Sequence, residues 1–516
     1  MIEEAFKFEN IEAVKLAIRI YKFESKKVSG PGSYRRDINH ILWRKKELIE
    51  SLGLKENEIL ILENLLNSLK AKNQLMIVPK WKDNQDGYVT RTAETIRLLG
   101  HTYEYWHRGR PGIDATRWEI VPKYIPRRNI SVEKFIKRLI QSLDQKGVDT
   151  LETKIAQSCK EVIEGIAKEI AGNKTFFSEF QFDATLNGLL DGLGVSRKKG
   201  SILVAGVGSG KTLAFMLPPL ILAKRDILAS ETEYGAHLFV YPRTALALDQ
   251  FSKSLLPYAI AAGIPENQIH SEMSNYYRKL GHTKVGNGIR EVHNGSSKPR
   301  LIITSLETLK RRISHPLIVK KLLRRVSSLT IDEVHLVSGV QGAQIAMLLR
   351  RLRKLCPQKS IWNGASATIA KPEEHLGRLI GCDFKEINLV TTDPKEMAID
   401  GVVHHTFIRP SGVISTSGAL VNATSLMIHN RRENLSKRPT RKKERKSTPK
   451  SIAFADNLEL LGRWNNDFRE NERTDVFNSG RKGTQRNHPI QENMQEWDRR
   501  QREIPYAARF QEPLSR

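Results

Sequence analysis

A chain of 516 residues has room for about three domains and ample core, yet only 39% of it is hydrophobic, which implies some unpacked tail or linker. Lys and Arg outnumber Asp and Glu by 84 to 57, a formal net charge of +27, so the implied partner is a polyanion, with nucleic acid ahead of a membrane surface. Cys159, Cys356 and Cys382 are far apart and share no CxxC spacing, which excludes a disulfide framework and a zinc site and points to a reducing cytoplasm. A run of about 18 apolar residues and a signal-peptide pattern are both missing, so no membrane partner is expected.

In chain order, residues 1–125 read as mainly helical, with helices over 11–24, 38–53 and 56–72 and a Gly/Pro breaker at 29–33. A short strand over 75–78 and a helix over 91–100 follow, an order compatible with a winged-helix-like module. Tyr103, Tyr105 and Trp106 lie between Arg91, Arg97, Arg108 and Arg110. This stretch either stacks bases and holds phosphates or is a helix packed by aromatics with a solvated basic edge. Residues 126–174 read as a helical linker, with amphipathic helices over 132–143 and 151–170.

From residue 176 short apolar runs at 202–205, 237–241, 301–304, 329–332 and 361–365 alternate with helical stretches. That is the pattern of an α/β domain whose parallel sheet is covered on both faces, and its sites belong at the carboxyl ends of the strands. After residue 393 the regularity weakens. Residues 431–450 carry ten Lys or Arg against two Glu and read as a solvated loop, a strand and helix resume over 450–461, and the tail from 470 is polar.

The chemistry is concentrated at 201–212, SILVAGVGSGKT. An apolar strand runs through Ala205 into Gly206, Gly208, Ser209 and Gly210, and a helix starts at Lys211. Backbone N–H groups freed of side chains, together with a helix N-terminus, make a phosphate cradle. Lys211 then reaches the β- and γ-phosphates of a nucleotide and the Thr212 hydroxyl suits Mg²⁺. A second apolar strand ends in Asp332 and Glu333. Asp332 can bind the same Mg²⁺, while Glu333 is placed to orient and deprotonate an attacking water.

These motifs, AxxGxGKT at 205–212, DEVH at 332–335 and SAT at 366–368, resemble motifs I, II and III of the superfamily 2 DEAD/DEAH-box helicases. The resemblance implies a RecA-like P-loop parallel-sheet ATPase over 175–395, preceded by the mainly helical region and followed by an incomplete second RecA-like domain over 396–516. It implies ATP and Mg²⁺ as cofactors and catalytic roles for Lys211, Asp332 and Glu333. Residues 241–250 look like motif Ia, with Arg243 and Thr244 on the nucleic-acid backbone, and residues 304–309 look like motif Ib, with Thr304 a phosphate contact. Gln181 resembles the upstream glutamine that recognises adenine, while His335, Ser366 and Thr368 resemble the residues that couple hydrolysis to strand movement.

The stretches 332–352 and 366–381 look like the helicases similar to Lhr and MrfA, a group that includes anti-phage helicases resembling DrmA and DpdJ. An ATP-hydrolysing helicase or translocase acting on DNA, single-stranded or duplex and with RNA also open, is therefore expected. Residues 451–456 fit motif IV, but motifs V and VI are not found, so a partner polypeptide is expected to supply the second half. The rival readings are a nucleotide-gated DNA-binding scaffold and a truncated helicase fragment without unwinding activity.

Overall fold

The computed structural model describes residues 11–31, 38–71, 74–101, 113–171, 175–231, 233–271, 298–313 and 322–411, with 318, 419–420 and 423–424. The basic loop 431–450, the motif IV stretch and the aromatics at 103–106 lie outside the described residues. Two compact units emerge, Met1–Tyr124 with Ile399–Arg516, and Ile125–Ala398.

The first unit is built around α1 (Ile11–Val28), α2 (Lys45–Leu52) and α3 (Glu56–Ala71). The continuous helix expected over 38–53 is broken in the structure. Only Ile38–His40 makes a 3₁₀ turn, and Trp43 then exchanges backbone hydrogen bonds with Tyr88 in both directions, at 3.0 and 2.8 Å. That bridge fixes Trp43 in an extended conformation, and α2 restarts behind it.

After the two-residue strand β1 (Gly30–Pro31), the segment expected as a short strand becomes one arm of a hairpin, β2 (Leu75–Lys82) with β3 (Gln85–Thr90). Its two-residue turn places Asp83 and Asn84 at φ 52° and 58°, the left-handed pair that matches strand twist. The helix α4 (Arg91–His101) and the long strand β4 (Ile113–Pro126) complete the N-terminal part. The core gathers Trp43, Leu48, Val89 and Trp118.

The second unit opens with β5 (Ile130–Ser131), α5 (Val132–Gln145), α6 (Ile155–Ala171), β6 (Phe176–Phe177) and α7 (Glu179–Gly192). Seven parallel strands follow: β7 (Gly200–Val204), β8 (Ala236–Tyr241), β9 (Ile269–Ser271), β10 (Leu301–Ser305), β11 (Val326–Ile331), β12 (Ile361–Ser366) and β13 (Ile387–Thr391). Their spatial order is β13-β7-β12-β11-β8-β10-β9.

Alternation along each strand feeds two cores. Phe239 and Tyr241 join α8 (Lys211–Leu228) on one face, whereas Leu238 and Val240 join the helices Gly339–Leu355 and Pro372–Ile380 on the other. This is the α/β RecA-like architecture expected from the sequence. The edge strands β9 and β13 carry no sequence signal strong enough to separate them from the flanking loops.

Residues 397–410, expected to open the second RecA-like domain, instead form β14 (Met397–Pro410), which lies beside β4 in a sheet ordered β1-β4-β14. Lys123 Nζ meets Asp400 Oδ2 at 3.0 Å and Trp118 Nε1 donates to His404 Nδ1 at 3.1 Å.

Candidate nucleotide site and nucleic-acid face

The phosphate loop follows β7 directly. Gly208 and Gly210 take φ 84° and 81°, conformations that a side chain would strain. At Gly206 and Gly208 the space a Cβ would fill is open, and Gly210 is the N-cap from which α8 departs. The loop is tied from outside: Gln181 Nε2 donates to Gly210 O at 3.3 Å and Arg128 Nη2 to Gly208 O at 3.4 Å. Ser209 Oγ is buried and has no partner.

Gln181 also caps its own helix, its Oε1 accepting from the Ser178 N–H at 3.1 Å. Its amide therefore bridges the start of α7 and the phosphate loop, and the residue is only 3% exposed.

Asp332 and Glu333 sit just past β11, two places from β7 in the sheet, with β12 between. The Asp332 N–H continues the sheet ladder to Val240 O at 3.0 Å, and Asp332 Oδ1 accepts from the Glu333 N–H at 2.9 Å. Burial pushes the Asp332 carboxyl up to about 6, opposed by that hydrogen bond and by the positive charge of Lys211. The Lys211 ammonium of the phosphate loop therefore acts electrostatically on the Asp332 carboxyl, so the two halves of the site converge.

Glu333 is held at φ 51°, a strained backbone for a residue with a side chain. Its Oε2 is buried and makes no hydrogen bond. The nearest base, His335 Nδ1, is 3.3 Å away but lies closer to Ser366 Oγ, at 3.1 Å. Ser366 Oγ also lies 3.5 Å from Thr368 O. His335, Ser366 and Thr368 thus form one polar chain from the carboxylate pair to the end of β12.

On the face expected to meet nucleic acid, Arg243 is exposed at the N-cap of α9 (Thr244–Gln250), and Thr244 Oγ1 donates to Ser305 Oγ at 3.2 Å. Thr304 is placed differently from the expectation. The strand runs one residue further, so Thr304 pairs opposite Val240 inside the sheet and is 0% exposed, its hydroxyl unpartnered. In this conformation it cannot touch a strand lying outside, and Ser305 holds the junction by capping the helix Leu306–Arg312.

Two residues escaped the sequence reading. Arg128 reaches the loop from 80 positions upstream, and no motif marks it. Tyr241 is wholly buried, with a hydroxyl that has no partner, and Asp332 and Glu333 add to the burial that raises its pKa.

A strand-loop-helix phosphate cradle facing two strand-end acids defines a P-loop nucleotide-binding domain. Residues 192–376 match the family model for the DEAD/DEAH box helicase, and the chain carries a domain of that superfamily 2 family, in the group that includes Lhr and MrfA. A Bacillus subtilis ATP-dependent helicase, YprA, is 29% identical over 221 residues, which is 42% of this chain and 26% of the relative. The Lhr helicase of Mycolicibacterium smegmatis is 28% identical over 183 residues, or 35% of this chain and 12% of that protein. A crystal structure of the DUF1998 helicase MrfA bound to DNA aligns with TM-score 0.41 and 20% identity, covering 69% of this chain and 41% of that one. The chain thus spans between about a tenth and two fifths of the relatives it matches.

Proposed function

We propose that the chain is the ATPase part of a superfamily 2 helicase or translocase that acts on DNA. The observation that carries this reading is the convergence of Lys211 with Asp332 and Glu333 across the carboxyl ends of adjacent parallel strands.

The residues present fit ATP and Mg²⁺. The loop glycines leave open space, Ser209 Oγ and Glu333 Oε2 are unpartnered, and a hydroxyl with a carboxylate is the hard oxygen set Mg²⁺ prefers. Thr212 and Asp332 would hold the metal, which when bound supplies neutralising charge for the phosphate oxygens. Lys211 offsets the charge of the β- and γ-phosphates. Glu333 accepts the proton of a water whose oxygen bonds to the γ-phosphorus as the bond to the β-phosphate oxygen breaks, giving ADP and phosphate. His335, Ser366 and Thr368 pass the state of that carboxylate pair to β12.

Arg243 and Thr244 hold backbone phosphates without reading bases. The net charge of +27 supports a nucleic-acid track, and the Lhr-like and MrfA-like stretches favour DNA over RNA. Full turnover requires arginines from a second RecA-like domain, whether on this polypeptide or on a partner; such arginines are worth about 10³ to 10⁵ in related NTPases. A place in anti-phage defence belongs to the same proposal and rests on the resemblance of 332–352 and 366–381.

Binding of a fluorescent ATP analogue in Mg²⁺ tests the reading. Saturable binding that Lys211→Ala abolishes is expected. Equal binding by both proteins would refute the site.

A further inference from the structure

Beside Arg243 a cleft of about 430 Å³ opens at the carboxyl edge of the sheet. Arg243, Lys310, Leu336, Gln341 and Gln344 are among its lining residues. The helix Gly339–Leu355 buries Gly342, Leu349 and Leu352 against its own core, which accounts for one face. Its other face is not accounted for by packing. Val340 and Met347, one helical turn to either side of Gln344, are 81% and 74% exposed, and Leu336 at the helix entrance is 51% exposed.

Three large apolar side chains gathered in water at one corner mark a binding surface. Its company narrows the occupant. Two glutamine amides offer donors and acceptors side by side, as nucleobase edges require. Arg243 and Lys310 on the opposite wall supply the positive charge that phosphates require. A duplex keeps its base faces stacked inside, so an apolar wall can meet them only on a single strand.

We propose that this cleft seats the bases of a single nucleic-acid strand. Leu336, Val340 and Met347 pack against base faces, Gln341 and Gln344 meet base edges, and Arg243 and Lys310 keep the backbone alongside. The inference rests on the nucleic-acid reading above and adds to it a base-contacting surface where that reading needs only phosphates.

The test compares the full chain with a variant carrying Val340→Ala, Gln344→Ala and Met347→Ala, and with Arg243→Ala. Each is titrated by fluorescence anisotropy with an oligothymidine and with an abasic strand of equal length at one salt concentration. Thermal melting of all three proteins checks that these surface changes leave the fold intact. The triple variant is expected to bind oligothymidine about tenfold more weakly, the scale of one lost base contact, and the abasic strand as tightly as the unaltered chain. Arg243→Ala should weaken both strands.

If the triple variant binds oligothymidine normally, or loses both strands equally, the cleft does not hold bases and the proposal is overturned. The phosphate reading then still stands on Arg243. If the unaltered chain binds neither strand, both fall together.

Discussion

Gly210 shows at the scale of one residue what the phosphate loop demands. Its φ of 81° is costly for any side chain, and an added Cβ would come within 2.5 Å of Gln181 Nε2, the group that ties the loop down. Gly210→Ala is therefore expected to lower stability by about 1 kcal/mol or more and to loosen the Gln181 contact. Urea unfolding together with nucleotide titration would show both losses; an unchanged midpoint and affinity would remove the structural role given to that tether. Glu333→Gln keeps the shape of the side chain but cannot take a proton, so it should leave nucleotide affinity nearly intact and cut hydrolysis by about a hundredfold or more. A variant that turned over at the normal rate would take Glu333 out of the chemistry. The glycines, Lys211, Asp332 and Glu333 were legible in the sequence because each is fixed by neighbours in the chain. Arg128 was not, since its contact with Gly208 O depends on a fold that brings together residues 80 apart, and the burial of Thr304 turned on a single residue of strand length.

Strands carry the next level, and β8 is the most informative of them. His237 near its start is buried, with Nδ1 2.8 Å from Ser328 Oγ on the adjacent β11. Burial, with Arg225 and Arg300 nearby, drives its pKa down from 6.5 to about 3. Below pH 6.5 the unfolded chain takes up a proton that the folded chain refuses until about pH 3. The stabilisation is therefore fully present above pH 6.5 and is lost as pH falls through that window, by up to about 1.4 kcal/mol per unit. His237→Asn gains no proton and can still reach Ser328, so its denaturant stability should fall less steeply between those limits. Parallel slopes for the two proteins would show that His237 is not the group responsible. The alternation of apolar strands and helices made the five interior strands of the sheet readable. The hairpin of β2 with β3, the break at Trp43 and the placement of β14 were not, because each is decided by pairing with a distant segment rather than by local pattern.

For the molecule as a whole the dominant physical fact is the net charge of +27. If nucleic acid binds through phosphates held by Arg243, Lys310 and their neighbours, raising salt from about 50 to 200 mM should weaken binding about tenfold for every two phosphates engaged. Anisotropy titrations across that range read the slope, and a flat response would rule out the electrostatic account. The central claim is that the phosphate loop and the strand-end carboxylates form an ATPase responsive to nucleic acid. Steady-state ATP hydrolysis, measured with and without single-stranded DNA, duplex DNA and RNA beside Lys211→Ala, tests it most directly. The account predicts a basal rate that Lys211→Ala abolishes and that at least one of these nucleic acids, DNA foremost, raises. Hydrolysis that survives Lys211→Ala, or that ignores every nucleic acid, would contradict it.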